Sequence, residues 1–239
     1  MWFVRFLLLL GFIIMMPTLA FAQQRFGETL CAKAGYFCLK IQDHDTWENL
    51  FPTDEARDIV MRVNRMNIEL QPGMTIAIPK RLDEISIYDV SPFPRYVEPT
   101  GEKMIYVNQA KLAWGAYNSD GELVWWGPIS GGSGHCRSID GTCRTPSGAF
   151  RVIRKQDIYC ISTVFPVRSY GESGGAVMPY CMHFFRGYAL HGSYTVPGYH
   201  DSHGCVRMFI EDAKWLNEEF ITVPGTGDIG TRVIVNAVS

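Results

Sequence analysis

Ser202-His203-Gly204-Cys205-Val206-Arg207-Met208 sets a thiol, an imidazole, a glycine and a guanidinium side by side in one short run. A second histidine lies upstream, in Ala189-Leu190-His191-Gly192-Ser193. The reactive form of cysteine is the thiolate, and a neighbouring base or positive charge favours it. Gly204 lets the backbone bend just before the cysteine, so that consecutive N–H groups could point at one spot, as an oxyanion hole requires. Cys205 alone would be a small buried hydrophobe, and either histidine alone a satisfied core residue. The combination makes Cys205 a candidate nucleophile.

The chain around this stretch reads mostly as strand. Met104 to Val107, Ala110 to Tyr117, Glu122 to Ile129, Ala149 to Ile153, Met178 to Phe185, Tyr188 to Leu190 and Gly230 to Val235 are short apolar runs bounded by turn residues. Asn118-Ser119-Asp120-Gly121 is a hairpin turn, and Gly131-Gly132-Ser133-Gly134 opens a loop. Phe209 to Phe220 is the one clear helix of this region, with Ile210, Ala213, Leu216, Asn217 and Phe220 near one face. Many short strands between Gly and Pro turns predict a mainly β domain over residues 102–237, a β-sandwich or partly open barrel.

Toward the N-terminus, Met1 to Ala22 has the three parts of a secretory signal: Arg5, the apolar run Phe6 to Met16, and small residues at Ala20-Phe21-Ala22. Cleavage before Gln23 would release an exported chain, placed in the periplasm or cell envelope. A short segment at 23–34 follows. Residues 35–80 predict a small βααβ module: a strand at Tyr36 to Ile41, a helix at Trp47 capped by Asp45 or Thr46, a helix capped by Asp54, and a strand at Met74 to Pro79. Residues 81–101 carry Pro92, Pro94 and Pro99 and read as an extended linker, with Ile85 to Tyr88 able to pair as an edge strand.

A formal net charge of −2 over 239 residues leaves no basic footprint for nucleic acid, and 47% hydrophobic residues suffice for a packed core. Nothing in the sequence calls for a cofactor. Seven cysteines in an exported chain permit disulfides and leave one thiol over. The unpaired one is taken to be Cys205. The simplest pairing of the rest is local, Cys31 with Cys38, Cys136 with Cys143 and Cys160 with Cys181, although sequence alone leaves other connectivities open.

His191 followed by Ser202-His203-Gly204-Cys205-Val206-Arg207 resembles the active-site signature of the L,D-transpeptidase (YkuD-type) family. Thr145-Pro146-Ser147-Gly148-Ala149-Phe150, Met178-Pro179-Tyr180, Asp212 to Leu216 and Gly230 to Val233 extend the likeness over nearly all of 102–236. Residues 35–80 more loosely resemble a LysM module, through Asp45-Thr46-Trp47, Asn64 and Leu70 to Pro79, with His44 where that family has glycine. The first resemblance implies Cys205 as nucleophile, His191 as its base, and the carbonyl of Gly192 as the acceptor that orients the imidazole. It implies oxyanion donors in the backbone N–H groups of His203, Gly204 and Cys205, and a supporting hydrogen bond from His203. Arg207, Tyr180 and Ser202 are candidate substrate contacts, with Arg207 equally able to pair with a local acid and Tyr180 equally able to pack in the core.

The implied reaction is acyl transfer on peptidoglycan stem peptides. Cys205 attacks the carbonyl that joins diaminopimelate to D-alanine, and the acyl group passes to an amine. The amine belongs to a second stem (a 3→3 cross-link) or to an outer-membrane lipoprotein; water instead gives L,D-carboxypeptidase activity. The LysM likeness implies glycan as a further partner. The same residues leave two alternatives open: a non-catalytic peptidoglycan-binding protein, and a zinc site built from His191, His200, His203 and Cys205.

Overall fold

A computed structural model describes residues 23–136, 141–166, 174–225 and 227–238. The expected leader, residues 1–22, lies outside the described residues, as does the middle of the stretch between Cys136 and Cys143. No helix among the described residues is long and apolar enough to cross a membrane.

The N-terminal part runs α1 (Phe26–Leu30), β1 (Tyr36–Lys40), α2 (Trp47–Leu50), α3 (Asp54–Asn64) and β2 (Thr75–Pro79). Strands β1 and β2 pair antiparallel, and Ile41, Trp47, Val60 and Ile76 close a small core over them. Thr46 caps α2, its hydroxyl accepting from the N–H of Asn49. The cap of α3 is Thr53 and not the expected Asp54: the Thr53 hydroxyl accepts from Ala56, and Asp54 begins the helix, its charge favoured in the first turn. His44 has φ 71°, a left-handed conformation that costs a non-glycine residue, at the position where the resembled family has glycine. Trp47 is buried and gives its indole N–H to Ile68, so it is a core residue and no platform for a sugar.

Residues 81–101 are not the extended connector with an edge strand that their sequence suggested. A 3-10 turn spans Leu82–Glu84, and Ile85 to Tyr88 join no strand. They serve as a strap instead: Ile87 accepts the indole N–H of Trp126, and the Tyr88 hydroxyl donates to Val124.

The C-terminal part contains β3 (Met104–Asn108), β4 (Ala113–Tyr117), β5 (Leu123–Ser130), β6 (Gly134–Cys136), β7 (Gly141–Cys143), β8 (Gly148–Arg151), β9 (Arg154–Lys155), β10 (Ile161–Pro166), β11 (Gly175–Val177), β12 (Met182–Phe185), β13 (Tyr188–Gly192), β14 (Val206–Met208), α4 (Ile210–Trp215) and β15 (Arg232–Val235). Nine strands form one curled open sheet in the order β8-β15-β3-β4-β5-β14-β13-β12-β9. The predicted mainly β fold is thus realised as a single curled sheet with few helices. Strands β6 and β7 form one separate hairpin and β10 and β11 another. The expected helix from Phe209 to Phe220 divides: α4 ends at Trp215, and a π-type turn carries Leu216–Phe220.

One pairing sets up the site. Strands β13 and β14 run parallel, with Leu190 opposite Val206 and His191 opposite Arg207. Side chains alternate along a strand. Leu190, Val206 and Met208 therefore enter the core with Trp114, Ile129 and Leu216. Ala189, His191, Cys205 and Arg207 are left on the opposite face.

The two parts of the chain are locked by a buried ion pair. Arg62 of α3 places its two terminal nitrogens 3.0 and 2.8 Å from the carboxylate of Asp212 in α4, and it also donates to the Trp126 carbonyl at 2.7 Å. Trp125 gives its indole N–H to the same carboxylate at 2.9 Å.

Candidate active site

All six other cysteines are paired, Cys31–Cys38, Cys136–Cys143 and Cys160–Cys181, and Cys205 is the free thiol. It is partly buried, immediately before β14. Burial pushes its thiol above the ordinary value, and a backbone hydrogen bond from Ala189 and the positive charge of Arg207 oppose that in part. His191 is buried, and its Nδ1 lies 2.8 Å from the Gly192 carbonyl. A carbonyl only accepts, so Nδ1 carries the proton and Nε2 is left with a free lone pair. Burial lowers the His191 pKa to about 4, a shift that the Gly192 bond opposes and the Arg207 charge reinforces. At neutral pH the thiol and the imidazole are thus both uncharged.

The turn before Cys205 is built by Ser202, Gly204 and Thr145. Ser202 Oγ donates to the Cys205 carbonyl at 2.5 Å and accepts from the Gly204 N–H at 2.9 Å. Two expectations change here. Ser202 is buried and shapes the turn, though it also borders the cleft, and the Gly204 N–H is already committed and so is not free for an oxyanion. Gly204 has φ 121°, and a Cβ there would lie 2.5 Å from Cε1 of Tyr188. Thr145 Oγ1 donates to the Gly204 carbonyl and accepts from the Gly132 N–H, each at 2.9 Å, which ties the turn to the loop after β5.

Two clefts meet at Cys205. One, of about 280 Å3, is lined by Arg154, Phe165, Met178, His183, Tyr188 and His203 among others. The other, of about 140 Å3, is lined by His191, Ser193, Thr195, Ser202 and Arg207. Both share Ser162, Phe165, Met178, His203 and Cys205, so the β10–β11 hairpin stands between them over the thiol. The ring of His203 stacks on Phe165, centroids 4.6 Å apart.

The remaining expected residues fall as follows. Arg207 borders the smaller cleft but is already paired, with Asp201 at 3.1 Å. Tyr180 does not line either cleft: with φ 56° its side chain joins the main core. The four proposed zinc ligands do not converge. His200 spends both nitrogens on structure, Nδ1 accepting from Gly131 and Nε2 donating to Gln109. Cys136, Cys143 and His203 do cluster, but the two sulfurs are bonded to each other. His183 and Arg154, which no motif singled out, both border the larger cleft. Sequence reasoning also passed over Phe165 and Tyr188, because both depend on pairings distant in sequence.

The YkuD family, described as an L,D-transpeptidase catalytic domain, matches residues 102–235. No curated protein matches the chain. Among solved structures it is similar to an L,D-transpeptidase from Xylanimonas cellulosilytica, with 24% identity over 70% of this chain and 73% of that one and a TM-score of 0.49. It is also similar to an L,D-transpeptidase from Stackebrandtia nassauensis (22% identity, 62% and 61% coverage, TM-score 0.42). A third is L,D-transpeptidase 1 of Mycobacterium tuberculosis (16% identity, 70% and 67% coverage, TM-score 0.39).

Proposed function

Since the chain belongs to the YkuD family of L,D-transpeptidase catalytic domains, an enzyme family that acts on peptidoglycan stem peptides, we propose that Cys205 is its nucleophile and His191 its base. The observation that carries this is the placement of a free thiol and a tautomer-fixed imidazole on one face of the parallel β13–β14 pair, bordering one cleft. The thiol proton passes to Nε2 of His191 as sulfur attacks the carbonyl of the third stem residue, diaminopimelate. The C–N bond to D-alanine breaks, the imidazolium returns its proton to the departing amine, and a thioester remains. An acceptor amine then attacks the thioester and gives up a proton to His191, restoring the thiol. The backbone N–H of Cys205 is the proposed oxyanion donor, that of Gly204 being engaged by Ser202.

A second stem's amine or a lipoprotein lysine as acceptor would make the enzyme a transpeptidase in the strict sense; water would make it an L,D-carboxypeptidase. The exported, envelope location is part of the proposal, supported by the three disulfides and the apolar leader sequence. So is glycan binding by residues 35–80, supported by their strand-helix-helix-strand order. Intact-protein mass spectrometry after mixing with a tetrapeptide donor tests the chemistry. An acyl adduct that is absent from Cys205→Ala is expected; an adduct of equal yield in both would overturn the assignment.

A further inference from the structure

The larger cleft carries a feature that the thioester chemistry does not use. His183 of β12 pairs with Ala189 of β13 on one side and with Arg154 of β9 on the other. Residues directly opposite in antiparallel strands share a face. Met182 enters the core, so His183 and Arg154 lie on the face that bears Cys205. Both border the same cleft as the thiol. Nδ1 of His183 is closed off from solvent with no hydrogen-bond partner among the described residues, an orphaned polar atom of a kind that native proteins mostly avoid. No carboxylate pairs with Arg154 among the described residues.

We propose that Arg154 and His183 form the subsite for the side-chain carboxylate of the donor's third residue, a diamino diacid, and so select donors in which that carboxylate is free. The proposal rests on the function assigned above. The walls between Cys205 and Arg154 are largely apolar, with Ile161, Phe165, Met178 and Tyr188 facing the space. A polymethylene side chain fits such walls, and its terminal carboxylate fits a guanidinium. The reach agrees. Arg154 is three strands from β14, roughly 14 Å at the usual strand spacing, and its own long side chain returns part of that distance. Gln156 also lines the cleft, and its amide oxygen is an acceptor for the ammonium on the same terminal carbon. Burial keeps His183 neutral near pH 7, so it supplies hydrogen bonding while Arg154 supplies the charge.

The test compares two synthetic tetrapeptide donors, one with the side-chain carboxylate free and one with it amidated, reading D-alanine release by the full mature chain. The unaltered enzyme should favour the free acid about tenfold or more in kcat/KM, as one charge-assisted contact would give. In Arg154→Gln the preference should vanish, chiefly through KM for the free acid, and Arg154→Lys should restore part of it. His183→Gln should weaken it. Alkylation of Cys205 by iodoacetamide at the normal rate in Arg154→Gln would show an intact nucleophile. Equal use of both donors by the unaltered enzyme, or a preference that survives Arg154→Gln, would overturn the proposal. Release from neither donor, with no acyl adduct, would instead overturn the functional assignment on which it stands.

Discussion

The Nδ1–H of His191 is held by the carbonyl of its own neighbour Gly192 at 2.8 Å, which leaves Nε2 as the basic nitrogen of the ring. No carboxylate is needed to fix the tautomer. The ring is buried and its pKa lies near 4, while burial raises that of Cys205. The resting pair is therefore uncharged. Alkylation of Cys205 should rise with pH around a midpoint above the ordinary thiol value of about 8.5. The acid limb of kcat/KM should appear only as pH falls toward about 4, where His191 takes up a proton and ceases to be a base. An alkylation midpoint near or below about pH 6 would indicate a thiolate–imidazolium pair instead.

Gly204 is required by both its backbone angle and its surroundings. A methyl group there would collide with Tyr188 and approach the Arg144 carbonyl at 3.2 Å. Gly204→Ala should lower kcat/KM by about a hundredfold, because misplacing the adjacent thiol by an ångström is enough for that. The chain should still fold, as judged by an unchanged far-UV circular dichroism spectrum.

Much of this site can be read in the sequence, and the reason is locality. The cysteine, its glycine and the two histidines sit in two short runs, and the parallel pairing of β13 with β14 brings those runs together. Of the two places open to Tyr180, cleft or core, it takes the core, with a positive φ that strand alternation does not foretell. The place of His183 was not legible because its face depends on which strands flank it. The β10–β11 hairpin was not identified, since its strands pair across a long, Gly- and Ser-containing interval with weak alternation. The curled sheet was foreseen only as a class, because its order joins strands far apart in the chain.

The Arg62–Asp212 pair is almost wholly buried, and each partner compensates the other's lost hydration. Removing Arg62 leaves Asp212 buried with only the Trp125 indole N–H, and removing Asp212 leaves the buried guanidinium with Asp58 alone, 2.8 Å from its Nε. Arg62→Ala or Asp212→Ala should each cost about 3–5 kcal/mol in urea unfolding, whereas replacing both by apolar residues of like volume should cost far less. Single variants as stable as the unaltered protein would show that the pair contributes nothing.

Thiol counting tests the covalent frame. The native protein should give one reactive thiol under denaturing, non-reducing conditions and seven after reduction, with the native one missing in Cys205→Ala. A native count of three would mean that one of the three disulfides is not formed.

The most direct measurement is mass spectrometry of the products when residues 23–239 meet a disaccharide-tetrapeptide, beside Cys205→Ala and His191→Ala. Release of D-alanine with cross-linked dimer by the unaltered protein, and by neither variant, is the predicted result. Tripeptide without dimer would keep the cysteine chemistry and make water, or a missing acceptor, the explanation. Equal product from Cys205→Ala would contradict the account at its centre.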